Sequence, residues 1–232
     1  MRRKKTLQLI REGKTKNLYD DECGNYKLLF KDEVTGTDGK FDPGANTIGL
    51  TLKGSGLAGL RMSVYYFKLL ESSGFCTHYR SCEYENNMMI VVPATPFGNG
   101  LEVICRYVAL GSFIRRYGSI VEENHLLPGI VEVTLKDDER GDPLINEETL
   151  RVFGILKSKE YSKLSSLTKD ICGTIRRDLS SKELDLCDIK LEFGRDVHGN
   201  IMLIDEIAAG NMRVRKGGRF IEPLELTELV IS

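Results

Sequence analysis

Two acids in KLEFGRDVHGNIMLIDEI, residues 190–207, are spaced so that a hairpin would bring them together. If His198-Gly199 forms a two-residue turn, as X-Gly dipeptides favour, Val197 pairs with Asn200 and Glu192 falls directly opposite Asp205. Like charges facing each other across a strand pair, with Cβ atoms about 5 Å apart, repel. Asp205 also follows the apolar run Ile201 to Ile204, where an unpaired carboxylate would be costly to desolvate. A hard cation gripped by both acids relieves the conflict, and magnesium characteristically takes one or two carboxylates plus substrate phosphates. A Lys or Arg partner, or a different register, would relieve it too.

Lys14 and Lys16 follow Gly13 and lie two residues apart, hence on one face of a strand. Glycine permits close backbone approach by a ligand, and two ammonium groups beyond a glycine turn can bind polyphosphate as point charges. The segment lacks the GxxxxGK[ST] pattern, so it is no P-loop, and a solvated basic strand satisfies the same pattern. In RYVALGSFIRRYG, residues 106–118, a strand runs through a Gly111-Ser112 junction into a short helix stopped by Gly118, with Ser112 as N-cap. Free N–H groups, a hydroxyl and Arg106 suit a phosphate, although an ordinary capped helix would look alike. The acidic loop KDDERGDPLINEE, residues 136–148, carries Asp138 and Asp142 and could receive an amine or a second metal.

Composition narrows the field. With 33 Lys and Arg against 34 Asp and Glu, the chain has no basic excess to capture nucleic acid or an anionic membrane. Leu7 to Ile10 is too short for a signal peptide, and Met88 to Val92 falls far below the roughly 20 residues of a membrane span. The six cysteines form no CxxC pair, which indicates reduced, mostly buried thiols and a soluble cytoplasmic protein. Three histidines, His78, His125 and His198, accompany no nucleophile–base constellation.

Short strands are predicted at Leu7 to Arg11, Lys16 to Tyr19 and Tyr26 to Lys31, forming a meander that would carry both lysines. A glycine-rich stretch from Gly36 to Gly59 precedes a helix over Leu60 to Ser72. Strands follow at Thr77 to Tyr84, Asn87 to Val92 and Leu101 to Val108, with residues 93–100 as a candidate hinge. Helices over Glu147 to Phe153 and Lys159 to Lys182 lead to a strand pair within Asp188 to Ile207. The order lacks a βαβ rhythm and indicates an α+β fold, with an N-terminal antiparallel subdomain (1–92) and a C-terminal α+β subdomain (93–232).

Taken together, EGKTKNLY (12–19), FKDEVTGTDGK (30–40), residues 106–118, the acidic loop and the late hairpin resemble, in order, the SAICAR synthetase family over nearly the whole chain. The resemblance implies a cleft, distantly kinase-like, that uses ATP and Mg2+ to join a heterocyclic carboxylate to the amine of aspartate through an acyl phosphate, in a homodimer. It implies that Gly13, Lys14 and Lys16 meet the ATP phosphates and that Glu102 lies beside the adenine hinge. Glu192 and Asp205 would hold magnesium. Arg106, Gly111, Ser112 and Arg213 would bind the phosphoribosyl phosphate, and Asp138 and Asp142 would place the amine.

The family pattern S-P-D-x-x-R-x-W reads Ala208-Ala209-Gly210-Asn211-Met212-Arg213-Val214-Arg215 here, and the family's usual additional helix is not expected after Arg219 to Leu224. Ligation of an amino acid to another heterocyclic carboxylate, or phosphoryl transfer to a hydroxyl, uses the same lysines and acids.

Overall fold

The structure is a computed structural model that describes residues 7–22 and 24–232, so Cys23 lies outside the described residues. In chain order it contains β1 (Gln8–Glu12), β2 (Lys16–Asp20), β3 (Tyr26–Phe30), β4 (Glu33–Thr37), β5 (Lys40–Phe41), β6 (Ile48–Thr51) and α1 (Ser55–Ser72). Next come β7 (Tyr79–Glu83), β8 (Met88–Val91), β9 (Thr95–Pro96), β10 (Leu101–Val108), α2 (Ser112–Tyr117) and β11 (Leu126–Leu135). The remainder is α3 (Glu147–Val152), α4 (Glu160–Ser180), β12 (Asp185–Arg195), β13 (Ile201–Ile204), β14 (Met212–Lys216), β15 (Arg219–Phe220) and α5 (Pro223–Ile231). None of the described helices is long and apolar enough to cross a membrane.

Antiparallel pairing builds a five-stranded sheet, β1-β2-β3-β8-β7, a small sheet, β5-β4-β6, and a seven-stranded sheet ordered β11-β10-β12-β14-β15 with β13 and β9 also on β12. The fold is α+β, as the sequence suggested. β10 and β12 are buried along most of their length because α4 covers one face and the site occupies the other. Leu164, Thr168, Ile171, Ile175 and Leu179 recur every three or four residues along α4 and form the buried stripe that docks there. One continuous apolar core runs from Leu28 and Phe67 beside the first sheet to Leu191 and Leu203 in the second.

Several sequence expectations need correction. The first helix begins at Ser55 rather than Leu60, because Asp32 supplies a cap from a distant loop: its carboxylate accepts from Gly54 N at 3.0 Å and Gly56 N at 2.9 Å. The glycine-rich stretch contains β4 and β6, where a Cβ on Gly49 would lie 2.6 Å from Gly36 Cα; only glycine allows this approach. β11 is a ten-residue strand that Pro128 and Gly129 disguised, and residues 223–231 form α5, packed on α1. The candidate hinge at 93–100 is partly tied down, since β9 pairs with Gly194 and Arg195 of β12.

The late hairpin also takes a different register. Arg195 pairs with Ile201 and Glu192 with Ile204, so Glu192 does not face Asp205 directly. The loop is wider than a two-residue turn because Asp196 organises it: Oδ1 accepts from His198 N and Asn200 N, each at 2.8 Å, and Oδ2 from Asn200 Nδ2 at 3.1 Å. That leaves Asp205 one residue beyond the last strand pair, with a left-handed φ of 68°.

Candidate active site

A cleft of about 390 Å3 lies between the first sheet and the exposed face of the β10–β12–β13 unit. The β1–β2 turn contributes Gly13, Lys14 and Lys16, while Leu28 and Val91 supply an apolar wall. Glu102, Lys136, Lys190, Glu192, Asp205 and Glu206 provide the charged wall. An adjoining hollow of about 100 Å3 is lined by Arg106, Ser112, Asp142, Asp188 and Arg213. The two share Pro43, Asn46, Glu102, Lys190 and Asn211 as common wall.

At the centre of the larger hollow, Lys16 Nζ stands 3.3 Å from Asp205 Oδ1 and forms a second ion pair with Glu206. Lys136 Nζ pairs with Glu192. Burial opposes charge on all of these groups, and the balance differs from one to the next. For Lys16 burial favours the neutral amine, but Asp205 and Glu206 outweigh it and raise the pKa. Burial is likewise outweighed at Asp205, where Lys16 and Lys136 hold the carboxyl well below its usual range. Burial and the charge of Asp205 push Glu206 up to about 7 and raise Glu192 as well.

The sequence left open whether a cation or basic side chains would relieve the acids, and lysines do so in this structure. With Glu206 pushed up to about 7 and only partly charged near neutrality, Lys16 and Lys136 come close to balancing Asp205 and Glu192. Among the described residues no three His, Cys, Asp or Glu side chains form a metal cage. Glu192 and Asp205 line the same cleft, and two carboxylates suit an ion that takes its other ligands from phosphate and water, as magnesium does.

Glu102 lies directly across from Glu192 on neighbouring β10, so a facing acid pair does exist, between strands other than those expected. Lys190 at 2.6 Å and the Thr134 hydroxyl at 3.2 Å engage Glu102. Lys14 and Lys16 do not converge. Lys14 Nζ bonds Asp138 Oδ1 at 2.7 Å and the Asn46 carbonyl at 2.9 Å. Asn46 Nδ2 in turn donates to Asp142 Oδ2 at 2.5 Å, so the acidic loop is stitched to the glycine turn across the mouth of both hollows.

In the smaller hollow Arg106, only 2% exposed, donates from Nε to Glu132 at 2.5 Å, from Nη1 to Asp188 at 3.3 Å and from Nη2 to the Ser112 hydroxyl at 2.9 Å. Ser112 is thus the first residue of α2 and no N-cap; Gly111, at φ 52°, holds that position without a capping side chain. Gly111 cannot carry a Cβ, which would sit 2.9 Å from Arg213 Nη2. Arg213 bridges Asp188 and Asp42, each at 2.9 Å.

Lys136, Lys190, Glu206, Asp188 and His78 were not singled out from the sequence. Asp188, Lys190 and Glu192 alternate along β12 on one face, a period-two pattern that was open to view. Lys136 ends a strand that went unrecognised, and Glu206 was masked by its neighbour Asp205. His78 lines the cleft from the edge of β7, its pKa lowered to about 4 by burial.

A cleft walled by an antiparallel sheet has a lysine–carboxylate centre that opens onto an arginine–serine hollow, so two basic clusters lie side by side. The chain matches SAICAR synthetase over residues 9–220, and it belongs to that family of carbon–nitrogen ligases. It is 52% identical over 227 residues to phosphoribosylaminoimidazole-succinocarboxamide synthase of Clostridium tetani, covering 97% of this chain and 100% of that one. A solved SAICAR synthetase of type 2 in complex with ADP superposes with TM-score 0.81 at 31% identity, covering 93% of this chain and 87% of that chain. A crystal structure (type 1) of SAICAR synthetase from Pyrococcus horikoshii gives TM-score 0.78 at 28% identity and covers 97% of both chains.

Proposed function

We propose that the protein joins the carboxylate of carboxyaminoimidazole ribotide to the amine of L-aspartate, converting ATP to ADP and phosphate. The observation that carries this reading is the shared wall between the two hollows. It would hold a polyphosphate beside Lys16 and a phosphorylated carboxylate beside Arg213 within one cleft. The ADP complex of the family relative and the apolar wall of Leu28 and Val91 support the larger hollow as the nucleotide's. Residues 1–92 then act as the nucleotide-covering unit and 93–232 as the unit bearing substrate and metal.

The substrate carboxylate oxygen attacks the γ-phosphorus and ADP leaves; the aspartate amine then attacks the acyl carbon, expels phosphate and loses a proton as the amide forms. Lys16 and Lys14 steer the phosphates, with Gly13 allowing their approach. Glu192 and Asp205 would hold magnesium, which would supply charge neutralisation when bound. Arg213, Ser112 and the remaining N–H groups of Arg106 bind the ribotide phosphate, with Gly111 leaving room for Arg213. Asp138 and Asp142 receive the ammonium of aspartate, and one of these carboxylates takes the proton that frees the amine for attack; Glu102 orients Lys190 where the hollows meet. Catalysis is by positioning and charge stabilisation, with no side-chain nucleophile. A homodimer in the cytoplasm completes the reading.

The test is mass spectrometry of the purified protein with ATP, magnesium and carboxyaminoimidazole ribotide, with and without aspartate. The succinocarboxamide should appear only when aspartate is present. ATP turnover that is indifferent to aspartate and yields no amide would leave phosphoryl transfer to a hydroxyl as the better description.

A further inference from the structure

Successive side chains of an extended strand point to opposite faces. Asp205 and Glu206, just beyond the end of β13, do not alternate in this way, because both carboxylates reach the same Lys16 ammonium. The break comes from Asp205's left-handed backbone, φ 68°, which cancels the alternation and turns neighbouring acids to one side. Aspartate enters the left-handed region more readily than most residues, yet its surroundings must still favour that conformation over an extended one.

The surroundings that enforce it are specific. The Asp205 carbonyl oxygen lies 2.9 Å from His78 Nε2, and a carbonyl can only accept, so Nε2 carries the proton. His78 is itself fixed on three sides. Its backbone N–H donates to the Leu203 carbonyl at 3.0 Å, its carbonyl accepts from Val92 N at 2.8 Å, and its ring meets Phe67 edge-on at 5.3 Å between centroids. The next peptide is held as well: Asn211 Nδ2 donates to the Glu206 carbonyl at 2.6 Å.

We infer that His78 is a positioning residue. By donating from Nε2 to the Asp205 carbonyl across the junction of the two large sheets, it fixes the left-handed turn that aims the Asp205 carboxylate into the nucleotide cleft. Without this bond Asp205 relaxes toward an extended conformation, its carboxylate swings away from Lys16, and the cation loses one of its two protein ligands. The inference rests on the reading of Asp205 as a magnesium ligand.

Calorimetric titration of ADP, in magnesium and in excess chelator, separates the two ideas. In wild type, magnesium should strengthen ADP binding; if it does not, the metal reading falls and this inference with it. His78→Leu, which keeps bulk but has no N–H, should weaken magnesium-supported ADP binding about tenfold, as loss of a partner that orients a metal ligand does, while changing binding in chelator less than twofold. His78→Gln, whose amide can reach the Nε2 position, should recover binding to within about threefold. In steady state the His78→Leu defect should appear in the KM for magnesium-ATP more than in that for the carboxylate. If His78→Leu does not fold, His78→Phe replaces it, keeping the ring contact without the donor. Equal losses with and without magnesium, or a donor-free variant that binds like wild type, would overturn the role of His78 and leave the metal assignment standing.

Discussion

Lys14 and Lys16 lie two residues apart but face unlike surroundings. The Lys16 side chain is 13% exposed and satisfies two acids, whereas Lys14 is 38% exposed and pairs with an aspartate that is itself 55% exposed. A charge held in a dry, fixed position stabilises developing phosphate charge far better than a solvated one. Lys16→Met should therefore lower kcat/KM by roughly a hundredfold or more, and Lys14→Met by less than about tenfold, in steady-state assays at saturating magnesium. Arg106 makes a different case. Deleting it leaves Glu132 to Arg116 and Asp188 to Arg213 alone, so Arg106→Met should cost about 1–3 kcal/mol of stability, read from the urea midpoint. Among single residues, the sequence displayed the lysines and the acids of the late hairpin. It could not display their pairing, because the lysine that meets Glu192 is Lys136, just past the end of β11, a strand separated from β12 by β10.

Elements were legible where their pattern was local. β10 occupies the predicted residues, and α4 ends within two residues of its predicted bounds, because each repeats its apolar positions without interruption. The start of α1 was hidden because its cap, Asp32, lies more than twenty residues upstream. The β4–β6 pair was hidden because glycine there marks close contact between strands instead of a loop. Gly36→Ala tests that contact. The added Cβ would fall 1.9 Å from the Lys40 carbonyl oxygen, so the variant should lose at least about 1–3 kcal/mol, and proteolysis should attack residues 33–51 first.

In the first sheet, the Lys27 hydrogen bond, opposed by partial burial, holds the Glu83 carboxyl below its usual 4.5. A depressed folded-state pKa gives stability that is present above the unfolded value and lost as pH falls through the folded one. Glu83→Gln should accordingly flatten the loss of stability below about pH 4.5, by no more than about 1 kcal/mol for so exposed a pair, in denaturation curves taken across pH.

Across the whole molecule, the two large sheets meet through few backbone bonds, chiefly His78 N to Leu203 O and Leu203 N to Cys76 O, each 3.0 Å. A ligand bridging the cleft should add to that junction. ADP with magnesium at a hundred times its dissociation constant should stabilise the protein by about 2.7 kcal/mol, visible as a raised melting temperature, and chelator should remove most of the gain. The α+β class and the order of the segments could be read from the sequence. The closeness of the two hollows could not, since their common wall joins Pro43, Glu102, Lys190 and Asn211 from four distant stretches.

The docking of α5 against α1 bears on how the chain folds as it is made. Leu226, Thr227 and Val230 of α5 are buried, and the Thr227 hydroxyl contacts the Ala58 carbonyl at 3.5 Å and Met62 Sδ at 3.9 Å. On the ribosome, α1 emerges long before α5 and waits with that apolar flank bare while the whole second sheet is synthesised. Chains that stall ahead of Pro223 should be caught by chaperones, and α1 should gain its full packing only after α5 leaves the exit tunnel.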